Sequence, residues 1–172
     1  MTFRAAAYDA VLAAPFGALG VCIQGEALRD IGFLPAGTLV SGPQSTAAHE
    51  VVRQLAAYLR DPRTRFDMPL VPAGTPFQRR VWAAMARIPV GETRTYGELA
   101  QALGSSARAV GQACGENPLP VVVPCHRVVS AAGLGGFAHR TDGFLLFVKR
   151  WLLAHEARAV ESRGSLFAHA KA

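Results

Sequence analysis

The sequence predicts an α/β (α+β) chain in two parts: a small N-terminal sheet-and-helix domain and a mainly helical C-terminal domain with a helix-turn-helix. Three observations carry this reading. Short β-rich runs separated by turn residues end by Leu34, a Pro/Gly-rich stretch lies between Pro69 and Gly74, and helix caps with apolar stripes dominate the remainder of the chain.

Tyr8 to Ala13, Leu19 to Ile23 and Ala27 to Leu34 read as strands of an antiparallel meander, parted by Pro15-Phe16-Gly17 and Gln24-Gly25. Ser45 or Thr46 can cap a helix running to about Arg60, where Asp61-Pro62 ends it. Val51, Val52, Leu55 and Leu59 would cover one face of the sheet. Thr75 then caps a helix with Pro76 at its first position, and Phe77, Val81, Met85 and Ile88 form its core stripe up to Pro89. Thr95-Tyr96-Gly97-Glu98 has capping-box spacing and opens a short helix that Gly104 terminates. Ser105 or Ser106 caps a second helix through Cys114, so the pair forms a helix-turn-helix. Thr141 or Asp142 begins a last helix in which Phe144, Val148, Trp151, Leu152 and His155 share a face leading to Glu156, with fraying expected from Ala157. The implied division is domain 1–68, linker 69–74, domain 75–158 and tail 159–172.

A chain of 172 residues, 51% of them hydrophobic, can bury a real core. Its apolar runs are far shorter than the roughly 20 residues needed to span a bilayer. The N-terminus carries no secretory pattern, so a cytoplasmic location is expected. Cys22, Cys114 and Cys125 cannot all pair internally and lack metal-ligand spacing; reduced thiols are expected, with no zinc site. The net charge of +6 comes almost entirely from arginine, since Lys149 and Lys171 are the only lysines. Arginine suits bidentate phosphate contact, so the balance is a fitting background for a nucleic-acid partner without deciding for one.

The most informative stretch is Pro124-Cys125-His126-Arg127-Val128, which comes after the apolar run Val121 to Val123. A thiol attacks as its thiolate, which cationic neighbours favour and apolar burial disfavours. The flanking His126 and Arg127 therefore argue for an activated nucleophile. A Cys-His pair standing alone would read as inert core. The surrounding blocks overturn that reading: Thr75-Pro76-Phe77-Gln78, Val81-Trp82, Ile88-Pro89-Val90-Gly91, Thr95-Tyr96-Gly97, Arg108-Ala109-Val110-Gly111, Asn117-Pro118 and Trp151-Leu152-Leu153-Ala154-His155-Glu156.

Together with the cysteine motif, these blocks resemble the O6-alkylguanine-DNA alkyltransferases, in that family's order, over roughly Tyr8 to Glu156 and most strongly from Thr75. The resemblance implies a ribonuclease-H-like N-terminal domain and a winged-helix-like C-terminal domain. It implies a monomer that needs no cofactor or metal, acts on double-stranded DNA containing O6-alkylguanine, and moves the methyl or alkyl group irreversibly to Cys125; O4-alkylthymine is a further candidate substrate.

Residue by residue, it implies that Glu156 orients His126, that His126 draws the proton from Cys125 through a water, and that Asn117 braces the cysteine turn. Tyr96, Phe137, Ala138 and Val128 would contact the flipped base. Arg108 would be the finger that replaces it in the stack, with Ala109, Gly111, Thr95 and Arg127 also at the DNA. The small residues Ala107, Ala109, Gly111 and Ala113 agree with this, because they let a helix backbone approach a narrow groove without reading sequence. A thioether has no carbonyl for water to attack, so each molecule would act once.

The chain departs from the family pattern in three places. The turn from Gly104 to Ala107 is about two residues short, Phe137 stands where a tyrosine is usual, and the loop Ala138 to Gly143 is about five residues longer. That loop is expected to alter which alkyl groups fit or to add phosphate contacts through His139 and Arg140. The competing readings are a non-catalytic alkyltransferase-like lesion binder, which would lack the acceptor cysteine, a helix-turn-helix transcription factor, which would need base-reading side chains on its second helix, and a cysteine hydrolase, which would need an oxyanion hole.

Overall fold

A computed structural model of the chain describes residues 8–139 and 143–168, with side chains of the last helix as far as Glu161. Arg140, Thr141 and Asp142, to which the sequence assigned a phosphate contact and a helix cap, lie outside the described residues. Contacts divide the chain into two compact units, one of residues up to 60 with 64–72, the other of 61–63 with 73 onward.

In the first unit, β1 (Ala10–Ala14), β2 (Gly17–Gln24) and β3 (Ala27–Leu34) form an antiparallel sheet in the order β1-β2-β3. The register slips between Cys22 and Ile23, and the Ile23 amide donates instead to Asp9 Oδ2 at 2.7 Å. Gly20 and Gly32 lie under the Tyr8 ring, which leaves no room for a Cβ at either position. Helix α1 (Thr46–Arg60) is capped by Ser45, whose Oγ accepts from the Ala48 amide. Its buried face is Ala48, Val51, Leu55 and Tyr58, with Val52 and Leu59 only half-buried. Gln54 joins that face because its amide satisfies both backbone groups of Asp67. Pro69 and Val71, read from sequence as linker, pair with Leu28 at the edge of β3 through hydrogen bonds of 2.9 Å each.

The second unit begins with α2 (Pro76–Ala86), held by a capping box between Thr75 and Gln78. Thr75→Ala removes that cap and is expected to cost about 1 kcal/mol. A urea unfolding midpoint identical to wild type would disprove it. Next comes β4 (Arg94–Thr95), then α3 (Tyr96–Leu103), for which Thr95 and Glu98 form the expected capping box. Gly104, at φ 63°, ends α3 in the left-handed conformation, and Ser106 caps α4 (Ala107–Gly115). Trp82 Nε1 donates to the Ala113 carbonyl and Gln78 to Glu116, which ties α2 to α4.

A 3-10 turn (Cys125–Arg127) leads into β5 (Val128–Val129), which pairs in parallel with β4. Helix α5 (Gly143–Ala168) closes the chain and buries Val148, Lys149, Leu152 and Glu156 on one face. The expected fraying from Ala157 is corrected by this helix. Ala157, Arg158, Ala159 and Glu161 favour helix, and neither Gly nor Pro occurs before Gly164. Among the described residues, no helix is long and apolar enough to cross a membrane.

Candidate active site

Cys125 is carried by a loop whose shape is fixed before the cysteine is reached. Asn117 Nδ2 donates to the Val123 carbonyl and its Oδ1 accepts from the Leu119 amide, so one side chain closes the loop on itself. Val121 sits inside at φ 76°, a left-handed conformation that a β-branched residue rarely adopts and that costs about 1–3 kcal/mol. The pairing of Val128 with Arg94 and of Val129 with Thr95 then fixes the far side of the turn against the start of α3.

Behind the cysteine lies a buried charge cluster. Glu156 Oε1 accepts from His126 Nε2 at 2.7 Å and from Arg127 Nη2 at 2.9 Å; Oε2 accepts from Arg127 Nε at 2.9 Å and from the Gly91 amide at 3.2 Å. Gly91 offers that amide from the third position of a turn closed by Glu92 N to Pro89 O, where its φ of 78° suits glycine. Burial pushes the Glu156 carboxyl upward, but the hydrogen bonds from His126 and Arg127 override it and hold the group ionised, well below the usual carboxylate range. Burial lowers His126, which outweighs the opposing pull of Glu156. His126 is therefore neutral. A carboxylate can only accept, so the ring proton sits on Nε2 and Nδ1 keeps a free lone pair. Among the described residues, Nδ1 is also the buried side-chain nitrogen with no hydrogen-bond partner.

Cys125 itself is 7% exposed, and burial raises its thiol above the ordinary value despite hydrogen bonding by Asn117 and the charge of Lys149. The resting group is a thiol, and the flanking cations do not offset its burial. Arg127 is spent on Glu156 and on the Ile88 carbonyl, and His126 carries no charge. What the arrangement offers instead is a nucleophile beside a neutral, oriented base.

In front of the cysteine is a cavity of about 280 Å³ lined by Tyr96, Gly111, Cys114, Gly115, Cys125, Gly136, Phe137, Ala138 and His139. The Tyr96 hydroxyl donates to the Gly136 carbonyl at 3.1 Å, and burial pushes its pKa up to about 12. Lys149 is fully buried; its Nζ donates to the carbonyls of Val128 and Gly136 and lies 5.9 Å from the ring centres of both Tyr96 and Phe137. Burial brings its pKa down to about 8. Burial lifts Cys114, the second thiol of the cavity, to about 12, and its Sγ donates to Met85 Sδ at 3.4 Å.

The fold thus brings together Cys125, His126, Glu156, Asn117, Tyr96, Phe137 and Ala138. It does not bring Arg127 to a DNA-facing surface: the side chain is 8% exposed with its guanidinium enclosed, which overturns that expectation. Gly111 lines the cavity beneath the Tyr96 ring. Val128 is fully buried, so any base contact falls to its carbonyl, already bonded to Lys149. Thr95 Oγ1 caps α3. Arg108 is exposed in the first turn of α4, with Ala109 half-buried beside it. Lys149 and Cys114 were missed as site residues. A lone lysine between Val148 and Leu152 on an apolar face was the available signal for the first; nothing distinguished Cys114 from helix core.

Residues 76–158 match the family model described as 6-O-methylguanine DNA methyltransferase, DNA binding domain. The methylated-DNA–protein-cysteine methyltransferase of Methanosarcina acetivorans is 39% identical over 157 residues, 87% of this chain and 97% of that protein. That of Mycolicibacterium paratuberculosis is 48% identical over 67% of this chain and 69% of its own. Among solved structures, Mycobacterium tuberculosis OGT in complex with DNA aligns with a TM-score of 0.73 at 39% identity, over 87% of this chain and 92% of that one. The α/β architecture, the ordered motifs and similarity over 87% of the chain agree, and the chain belongs to the methylated-DNA–protein-cysteine methyltransferase family.

Proposed function

We propose that this protein repairs duplex DNA by taking the alkyl group of O6-alkylguanine onto Cys125 Sγ. The observation that carries the reading is a buried thiol on a small cavity, backed by a neutral His126 whose free Nδ1 is aligned by Glu156. The cavity falls just short of the roughly 300–1,000 Å³ of drug-sized sites, which suits a single base.

His126 Nδ1 takes the thiol proton through a bridging water as Sγ attacks the alkyl carbon. The carbon–O6 bond breaks, its electron pair stays with the base, and guanine takes up one proton in place of the alkyl group. Glu156 stabilises the imidazolium formed on the way. The Tyr96 phenol, protonated at any physiological pH, exchanges its bond to Gly136 for one to the base. The resulting thioether offers water no electrophilic carbonyl, so the protein is consumed in one event.

Since the target atom is inaccessible inside the stack, the nucleotide must leave the duplex at a cost of a few kcal/mol. The exposed Arg108 at the start of α4 supports its reading as the group that fills the gap, and the net charge of +6 supports DNA as partner.

Incubation with a duplex carrying one O6-methylguanine, followed by peptide mass spectrometry, tests the proposal. One added methyl on the Cys125 peptide, limited to one per molecule, is expected. Tight binding with no change in mass would mean that the protein is a lesion sensor.

A further inference from the structure

We propose that His139 is the size filter of the alkyl-accepting cavity, an inference that rests on the proposed transfer to Cys125. Gly111 and Gly115 lie one helical turn apart on α4 and both line the cavity. Each seats a ring. The Tyr96 ring passes 3.8 Å from the position a Cβ would take at Gly111, whereas at Gly115 that position falls 2.5 Å from His139 Cε1 and 2.7 Å from Nδ1 and Nε2. Such closeness to three ring atoms means that the imidazole rests on the glycine, where no other residue would leave it room.

The backbone that delivers the ring is unusual. Ala138 at φ 47° and His139 at φ 62° are consecutive left-handed residues, neither of them glycine, a conformation that L side chains adopt only under strain. Strain of this kind persists only where surrounding contacts enforce it, and here it turns the imidazole onto α4.

The other large walls are fixed. Phe137 is buried, Tyr96 is tied to the Gly136 carbonyl, and Cys114 packs on Met85. His139 is exposed and shows no hydrogen bond among the described residues, so it is the one large wall that can move. With the ring on Gly115 the cavity admits a methyl group readily. A longer alkyl chain must displace the ring, because close-packed walls do not absorb several extra carbons.

The test compares duplexes carrying O6-methylguanine and O6-butylguanine in single-turnover reactions, read by the mass of the Cys125 peptide. His139→Ala is expected to raise the butyl-to-methyl rate ratio about tenfold, equivalent to about 1.4 kcal/mol. His139→Phe keeps a ring over Gly115 and is expected to hold the wild-type ratio. An unchanged ratio in His139→Ala overturns the filter, and a raised ratio in both variants overturns the steric basis.

Failure of the wild type to transfer either group would sink the proposed function instead. The filter is then read without DNA, from alkylation of Cys125 by iodomethane and 1-iodobutane. His139→Ala should again raise the butyl-to-methyl ratio, and equal ratios in the two proteins would overturn the inference.

Discussion

Cys125→Ser is expected to leave the second unit folded and able to bind duplex DNA while abolishing alkyl transfer. The substitution exchanges one atom in a loop whose shape is set by Asn117 and by the pairing of β4 with β5. The proposed DNA-binding helices α3 and α4 keep their caps and backbone under this change. The loss in rate should be on the order of a millionfold, the scale seen when a nucleophile is removed from a preformed site. Transfer by the serine variant within a hundredfold of wild type would show that Cys125 is not the acceptor.

The same site fixes the pH dependence. Burial keeps Cys125 protonated at neutral pH, so the rate depends on His126 as base. His126 is itself lowered from 6.5 by burial and stays neutral at neutral pH. Wild-type transfer should therefore change little from pH 8 down to about 6.5 and fall only in more acid solution, where the imidazole protonates. His126→Phe, left with hydroxide alone, should lose about tenfold per pH unit throughout. Single-turnover profiles of the two proteins distinguish these slopes, and parallel profiles would remove His126 from the base role.

Much of this was legible because the signals are local. Capping boxes at Thr75 and Thr95, a left-handed glycine at Gly104 and strand runs parted by turns each depend on residues within a few positions of one another. The cysteine motif was legible for the same reason. The pairing of β4 with β5 was not, since two residues carry no period and their partners lie more than 30 positions away. The fate of Arg127 was misjudged on similar grounds. An arginine beside a nucleophile reads as a DNA contact until the fold brings Glu156, 29 residues later, against it. Gly111 looked like part of a smooth groove-facing surface and Gly115 carried no signal, and only the folded chain shows the aromatic rings resting on them.

Glu156→Leu is expected to be the most damaging single change to the fold of the second unit. The carboxylate is fully buried and accepts four hydrogen bonds, three of them from side chains of the cysteine motif. Leucine would fill much of the space but leave an enclosed guanidinium with, among the described residues, only the Ile88 carbonyl as partner. Stranding one member of a buried pair costs about 3–5 kcal/mol, a large share of the roughly 5–15 kcal/mol that holds a domain together. Glu156→Gln keeps the shape and an acceptor oxygen, so its loss should be smaller. The two variants should also differ from wild type in acid. Because Glu156 is ionised in the folded protein far below its unfolded pKa of about 4.3, its contribution is complete above that pH and drains away as the pH falls toward its folded value. His126, lowered by burial, adds a loss of the same sign beginning near 6.5. Urea unfolding at pH 5 and pH 3 should show wild type losing stability on acidification and Glu156→Gln losing less of it, since the His126 loss is common to both. A Glu156→Leu protein with the wild-type urea midpoint at pH 7 would mean that the cluster contributes nothing to the fold, and that its carboxylate is there for His126 alone.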